Sequence, residues 1–376
     1  MLPQPEPPTE QVIRGTASGH LRVRSVHVSQ GRPTASTPAG VERVEFTLAP
    51  PQPFRLDLTA LALVRRPNNR IDTWRDGAYR RWVPVSEPYG PGPVPQFLLE
   101  VVDGAAGGPL AGRPPPGSPT ETLLVRAFGR LPEEQLAAAA ERVVTHMFGL
   151  DVDLAPFRLL ADSDGRLAPL AAQLEGLRPP RYPGVFQALL NAVPCQQVTL
   201  VLGLRLLEQL ARTYGPAVHG ANGGSEHDTD ATAPLPLPDA TTLAERAPEE
   251  LVALGLSGAK ARTLIELARE CVSGRLDLSA LPAASNEAAS ERLQRLFGIG
   301  RWTSDYVLLR GLGRLDVFPH GDSGARNGLA RFMGVEGKPS YGWVADTVRP
   351  WEPYAGFVYL HLLVAGMVSS GAYGTP

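Results

Sequence analysis

The sequence predicts an α+β protein, with an N-terminal antiparallel sheet domain under helical cover followed by an all-α part. Three observations carry this. From Val41 to Gly129, short runs recur in which apolar and polar residues alternate, with turn-rich segments between them. "LPEEQLAAAAERVVTHMFGL" then reads as a helix, with acids early and a glycine near its end. Beyond about Pro156, helical spacing replaces the alternation.

The expected strands are "VERVEFTLA", "FRLDLTALALV", "YRRWVPV", "FLLEVVD" and "ETLLVRAFG". Turns are expected in "RPNNRIDTW" and "GPLAGRPPPGSP". In "GVFQALLNAV", Phe186, Leu189, Leu190 and Val193 share one helix face, and Pro194 should end it. A new helix should begin in "QQVTLVLGLRLLEQLARTYG". The stretch 216–237 is polar and Gly/Pro-rich, so an exposed loop is expected there, and His219 and His227 in it read as loop residues. Residues 1–40 lack periodicity and read as a flexible leader.

Composition narrows the function classes. A chain of 376 residues suits two or three domains. The formal net charge of −2 argues against a uniformly basic nucleic-acid binder but leaves a local basic patch open. Two cysteines, Cys195 and Cys271, cannot build a four-thiolate zinc site or an iron–sulfur cluster. No His-Glu-x-x-His spacing occurs, so no metal and no other cofactor is expected. The N-terminus has neither the basic start nor the apolar core of a secretory signal. The most apolar stretch, "VTLVLGLRLLEQLA", is interrupted by Arg205 and Glu208, so no membrane span is expected. These readings point to a cytoplasmic protein.

The segment "RLFGIGRWTSDYVLLRGLGRLDVFPHGDSG" is the most informative. "SERLQRL" before it and "RWTSDYVLLRGLG" within it have helical spacing, so "FGIG" reads as a hairpin between two helices. Gly298 and Gly300 permit a sharp reversal, and Ile299 would anchor the turn in the core. Amides at such a turn, at the start of the next helix, can bind a phosphate whatever the base sequence. A bare Gly-x-Gly is equally a plain helix–helix turn. Trp302 and Tyr306 are four apart and share a helix face, which is either a core stripe or an aromatic wall. Asp322 precedes a helical pattern and by itself reads as an N-cap.

The longer string "LFGIGRWTSDYVLLRG" resembles the helix-hairpin-helix of DNA glycosylases, and "GIGRWT…Y" is most similar to 3-methyladenine DNA glycosylase II, the AlkA-type enzymes. "FQALLNAVPCQQVTLVLGLRLL", "ALGLSGAKARTLIELA" and "PWEPYAGFVYLHLLV" resemble family segments in the same order. The resemblance implies the division 1–40 leader, 41–150 sheet domain, 151–184 plus 316–376 a helical domain carrying the catalytic Asp, and 185–315 the helix-hairpin-helix domain. It implies Asp322 as the catalytic carboxylate and Trp302, Tyr306 and Phe318 as the base pocket. Gly298, Ile299, Gly300, Arg301 and Thr303 would hold DNA phosphate. Gln196 and Gln197 would form the wedge that fills the gap left by the flipped nucleotide. Ser323 and Leu360 stand where relatives carry aromatics, which puts substrate range in question.

The implied reaction is hydrolysis of the N-glycosidic bond of an alkylated base, such as 3-methyladenine, in damaged double-stranded DNA. A carboxylate stabilises the oxocarbenium character that develops on the sugar. Strand-cleaving relatives place a lysine nucleophile where this chain has Trp302, so a monofunctional enzyme without lyase activity is expected. His320 reads as an incidental loop histidine, Asp305 as a solvated helix residue and Asp316 as an ordinary loop residue. Between Glu291 and Arg331 there are seven arginines and four acids, a local excess of 7 − 4 = +3. An oxidised-purine glycosylase and a non-catalytic DNA-binding protein stand as alternatives. A monomer is expected.

Overall fold

The computed structural model describes residues 40–88, 90–104, 118–217 and 233–371. The first half holds β1 (Glu42–Leu48), α1 (Leu56–Val64), β2 (Thr73–Arg75), β3 (Ala78–Pro84), β4 (Gln96–Asp103), β5 (Leu123–Gly129) and α2 (Glu133–Met147). Then follow α3 (Ala155–Ser163), α4 (Leu167–Gln173), α5 (Val185–Cys195), α6 (Leu200–Tyr214), α7 (Ala240–Ala244), α8 (Pro248–Ala253) and α9 (Gly258–Val272). The last elements are α10 (Asn286–Gln294), α11 (Arg301–Arg310), α12 (Ser323–Met333), α13 (Tyr341–Val348) and α14 (Ala355–Ser369). The mixed α+β class is as the alternation and helical spacing imply.

The five strands form one antiparallel sheet in the order β1-β5-β4-β3-β2. Alternation puts Val44, Phe46, Leu48, Leu99, Val101, Val125 and Ala127 on the buried face. Helix α2 covers it with Leu136, Ala139, Ala140, Val143, Val144 and Met147, spaced three and four apart. On the other face Arg126 stands opposite both Glu45 and Glu100, 2.7 Å from each. Such cross-strand pairs reward one register.

The segment "FRLDLTALALV" is a helix rather than the expected strand. Its alternation is incidental: α1 is buried on almost every side, so no polar face marks a helical period. Leu56, Ala60, Leu63 and Val64 pack into the sheet core, while Leu58 and Ala62 pack into the C-terminal helical core. The expected turn "RPNNRIDTW" contains the start of the short strand β2. Helix α5 does not stop before Pro194 but runs through it to Cys195. A proline in the last turn forfeits one helical hydrogen bond. Burial of every residue from Val185 to Pro194 outweighs that loss.

Three buried clusters result. One lies between the sheet, α1 and α2, and a second runs through α5 to α11. The third joins α3, α4 and α12 to α14. The sheet is tied to α5 by polar groups. Arg81, fully buried, donates to Asp72 at 2.6 Å and to Gln187 at 2.7 Å. Glu87 accepts from the Val185 and Phe186 amides at the α5 N-terminus. Burial raises its carboxyl pKa, and those amides oppose the rise.

The expected leader lies outside the described residues except for Gly40, as do His219 and His227. The end of the expected 216–237 loop is not a free surface loop. Arg70 and residues 233 and 235 exchange backbone and side-chain hydrogen bonds, and Leu237 is buried in the helical core. Among the described residues, no helix is long and apolar enough to cross a membrane. Among them also, no cluster of His, Cys, Asp and Glu could hold a metal ion.

Candidate active site

Helix α10 ends at Gln294, the chain reverses through Phe297-Gly298-Ile299-Gly300, and α11 starts at Arg301. Gly298 has φ +73°, and a Cβ there would collide with the Thr263 hydroxyl on α9. Both facts demand glycine. Gly300 is the N-cap of α11 in extended conformation, with open space where a side chain would point. Ile299 is 4% exposed and anchors the turn, and its amide already donates to the Leu296 carbonyl. Thr303 is 2% exposed, and its hydroxyl accepts from Gln196 Nε2 at 2.9 Å. The phosphate role expected for the Ile299 amide and for Thr303 is therefore not open to them as they stand, because both groups are turned inward. Gly298, Gly300 and Arg301 remain at the surface.

The turn expected to supply the wedge divides in the same manner. Gln196 Nε2 also donates to the Gly298 carbonyl at 3.0 Å, so this residue fastens the turn to the hairpin. Gln197 is exposed, at φ +54°. Left-handed backbone at a residue with a side chain costs roughly 1–2 kcal/mol. The turn thus presents Gln197 outward and holds Gln196 back.

Asp322 is the N-cap of α12, with Oδ1 accepting from the Ala325 amide at 2.7 Å. Its Oδ2 accepts from Trp302 Nε1 at 3.0 Å. The cap therefore leaves the second oxygen in place beside Trp302, with each oxygen held by a different element. Gly321 permits this approach, since a Cβ there would lie 3.0 Å from Trp302 Cβ. Trp302 stacks on Tyr306, with ring centroids 5.8 Å apart and 25° between planes. The Tyr306 hydroxyl meets Tyr182 at 2.8 Å and accepts from Arg65 Nη1 at 3.3 Å. Burial pushes the Tyr306 phenol far above its usual range, and Arg65 opposes this.

Phe318 does not line the wall. It is 2% exposed and lies edge-on to His320 and Tyr359, backing the site from within. Tyr359, one residue before Leu360 on α14, supplies the aromatic near Asp322 that the sequence reading missed. Burial raises its pKa, and the charge of Asp322 adds to that rise. Tyr182 and Arg65, which hold the Tyr306 hydroxyl, were also missed, because no local pattern marks them. His320 is half-buried and its pKa is lowered, by burial first and by Arg301 second. Asp305 is not solvated: it is 2% exposed and accepts from Arg301 Nε at 2.8 Å. Burial raises its pKa, and Arg301 works against that. Of the seven arginines in the basic segment, Arg310 is fully buried and adds nothing to a DNA-facing patch.

The geometry is that of a fixed carboxylate beside a stacked aromatic pair, next to a glycine hairpin and an exposed turn. Residues 190–353 match the model of the HhH-GPD superfamily of base excision DNA repair proteins. The chain is 30% identical over 199 residues to DNA-3-methyladenine glycosylase 2 of Escherichia coli (strain K12), covering 53% of this chain and 64% of that one. It is 27% identical over 221 residues to the DNA-3-methyladenine glycosylase of Bacillus subtilis (strain 168), covering 59% and 70%. The chain spans 58% to 70% of the length of curated relatives of this kind. In fold it is similar to the 3-methyladenine DNA-glycosylase from Archaeoglobus fulgidus, with a TM-score of 0.67, 22% identity, and 85% and 97% of the two chains covered.

Proposed function

We propose that this protein is a DNA glycosylase that removes alkylated bases, such as 3-methyladenine, from double-stranded DNA in base-excision repair. The observation that carries this reading is the Asp322 carboxylate, held by Trp302 Nε1 and the Ala325 amide beside the Trp302–Tyr306 stack. The target nucleotide leaves the duplex, Gln197 fills the gap, and the base enters against Trp302. As the C1′–N bond breaks, positive charge grows on the sugar and the carboxylate stabilises it. The base, cationic in DNA, takes the electrons of the broken bond and departs neutral; water adds its oxygen to C1′ and its proton passes by way of Asp322 to solvent, which leaves an abasic site. Surface Gly298, Gly300 and Arg301 grip a phosphate of the same strand.

In this reading the enzyme makes no strand break. Schiff-base cleavage needs an amine nucleophile at the sugar. The chain has two lysines, Lys260 and Lys338, and Trp302 stands at the family's lysine position. Lys260 Nζ donates to the Pro194 carbonyl at 3.0 Å, away from this role. The oxidised-purine alternative lacks its nucleophile for the same reason. We also read the three buried clusters as the expected division into a sheet domain and two helical domains.

The test uses methylated duplex DNA. Free 3-methyladenine should appear, and strands should break only after hot alkali. Direct nicking with a borohydride-trapped adduct would refute the monofunctional reading, while no base release at all would refute the glycosylase.

A further inference from the structure

Phe297, the first residue of the hairpin, is 40% exposed and belongs to none of the three buried clusters. A single exposed apolar residue needs no explanation by itself. What sets this one apart is the cation on it. The Arg262 guanidinium of α9 lies 3.9 Å from the ring centroid, the closest such approach among the described residues. Glu266, one helical turn on, accepts from Arg262 Nε at 2.7 Å. Among the described residues the two Nη groups of Arg262 have no hydrogen-bond or salt-bridge partner, and its side chain is 55% exposed.

This pair stands at the hairpin. Thr263, next in the chain to Arg262, is the residue that a Cβ at Gly298 would strike, and the Gly298 carbonyl accepts from Gln196 beside the exposed Gln197. Arg262 meets the hairpin at Phe297, just before its two glycines. Arg301, its side chain 73% exposed, follows them at the start of α11. One exposed arginine therefore stands at each end of the Gly298–Gly300 turn. A free arginine gives up rotamer freedom when it grips a ligand. In Arg262 the ring and the carboxylate have already fixed the side chain, and two donors on its outer edge stay unused.

We propose that Arg262 is a further phosphate contact of the hairpin, held in place by Phe297, and that it binds the backbone of the DNA strand seated on Gly298 and Gly300. The guanidinium edge matches two phosphate oxygens, and such a contact is blind to base sequence. Phe297 is a positioning residue: its face attracts the cation and keeps the guanidinium plane flat against the ring. Glu266 engages only the Nε edge, which leaves the Nη edge to the phosphate. This inference rests on the glycosylase reading and deepens it.

The experiment measures binding to an abasic-site duplex and to an undamaged duplex across a range of salt. In Arg262→Gln the slope of log affinity against log salt should shrink by about one, with affinity down by roughly fivefold or more on both duplexes alike. Phe297→Leu should weaken binding by about threefold, and this loss should vanish in the Arg262→Gln background, where no guanidinium is left to hold. Thermal melts would confirm that the variants fold, as exposed positions allow. An unchanged salt slope in Arg262→Gln overturns the phosphate contact. A Phe297→Leu effect that is absent, or equal in both backgrounds, overturns the positioning role. Wild-type protein that binds neither duplex is the separate failure of the glycosylase reading, and this inference falls with it.

Discussion

Asp322 caps α12 through one oxygen, and in the proposed mechanism its carboxylate also stabilises the sugar cation; a single substitution separates the two. Asn caps a helix about as well as Asp. In Asp322→Asn, base release should therefore slow by about 10²–10³-fold, the usual scale for losing one electrostatic stabiliser. The thermal midpoint should barely change. Single-turnover assays beside thermal melts would check both, and a variant releasing bases at the wild-type rate would remove Asp322 from the mechanism. Asp322 was legible because it follows the hairpin at a fixed place in one continuous string. Tyr359 and Tyr182 were not, since nothing near them in the chain indicates that one comes to lie near Asp322 and the other against Tyr306. Asp305 was misread for a related reason: α11 is buried from Thr303 to Arg310, so a charge on it has no solvent side.

At the scale of the element, the two hairpin glycines are not equivalent. Gly298→Ala meets the Thr263 hydroxyl and must hold φ +73°, so it should destabilise the protein by more than about 1 kcal/mol and weaken DNA binding. Gly300→Ala has extended backbone and open space, so its stability should stay within about 0.5 kcal/mol of wild type. Urea denaturation and binding to an abasic-site duplex would compare them, and equal losses would contradict this. The turn proposed as the wedge divides similarly. Gln196→Ala removes two hydrogen bonds that join α5 to the hairpin, at about 1 kcal/mol each. Gln197→Ala should leave the melting temperature near wild type yet slow base release from a fully paired duplex. Release from single-stranded DNA, where no gap needs filling, should be much less affected. The turn at Gln196–Gln197 and the hairpin are each legible in the sequence, but the hydrogen bonds between them span 102 and 107 residues. No local pattern could assign the inward glutamine.

Across the whole molecule, α1 is the piece that joins the halves, and its misreading as a strand shows why. An amphipathic helix declares itself by a polar face, whereas a helix between two cores has none. The C-terminal core carries a titratable counterpart on α14. His361 is 3% exposed, with Nδ1 against the Phe357 carbonyl at 2.9 Å and its ring packed on Phe157 and Phe357. Burial lowers its pKa from 6.5 to about 4. Between those values the unfolded chain binds more protons than the folded one. Its contribution to stability is therefore complete above pH 6.5 and is lost as pH falls through about 4. Urea midpoints from pH 7 to 4 should fall more steeply in wild type than in His361→Leu. Parallel profiles would show that His361 does not titrate on unfolding.

What the sequence by itself determined is whatever short-range pattern can encode. That includes the order of sheet then helices, the glycine hairpin, the tryptophan just after it and the placement of Asp322 beyond both. Tertiary structure alone decided that α1 is a helix between two cores, that Thr303 and Phe318 turn inward, and that Tyr359 stands near the carboxylate. It alone brought Arg65 to Tyr306 across 241 residues of chain. Turns and helix faces depend on neighbours a few letters apart, whereas burial and long-range hydrogen bonds depend on what the rest of the chain packs around them.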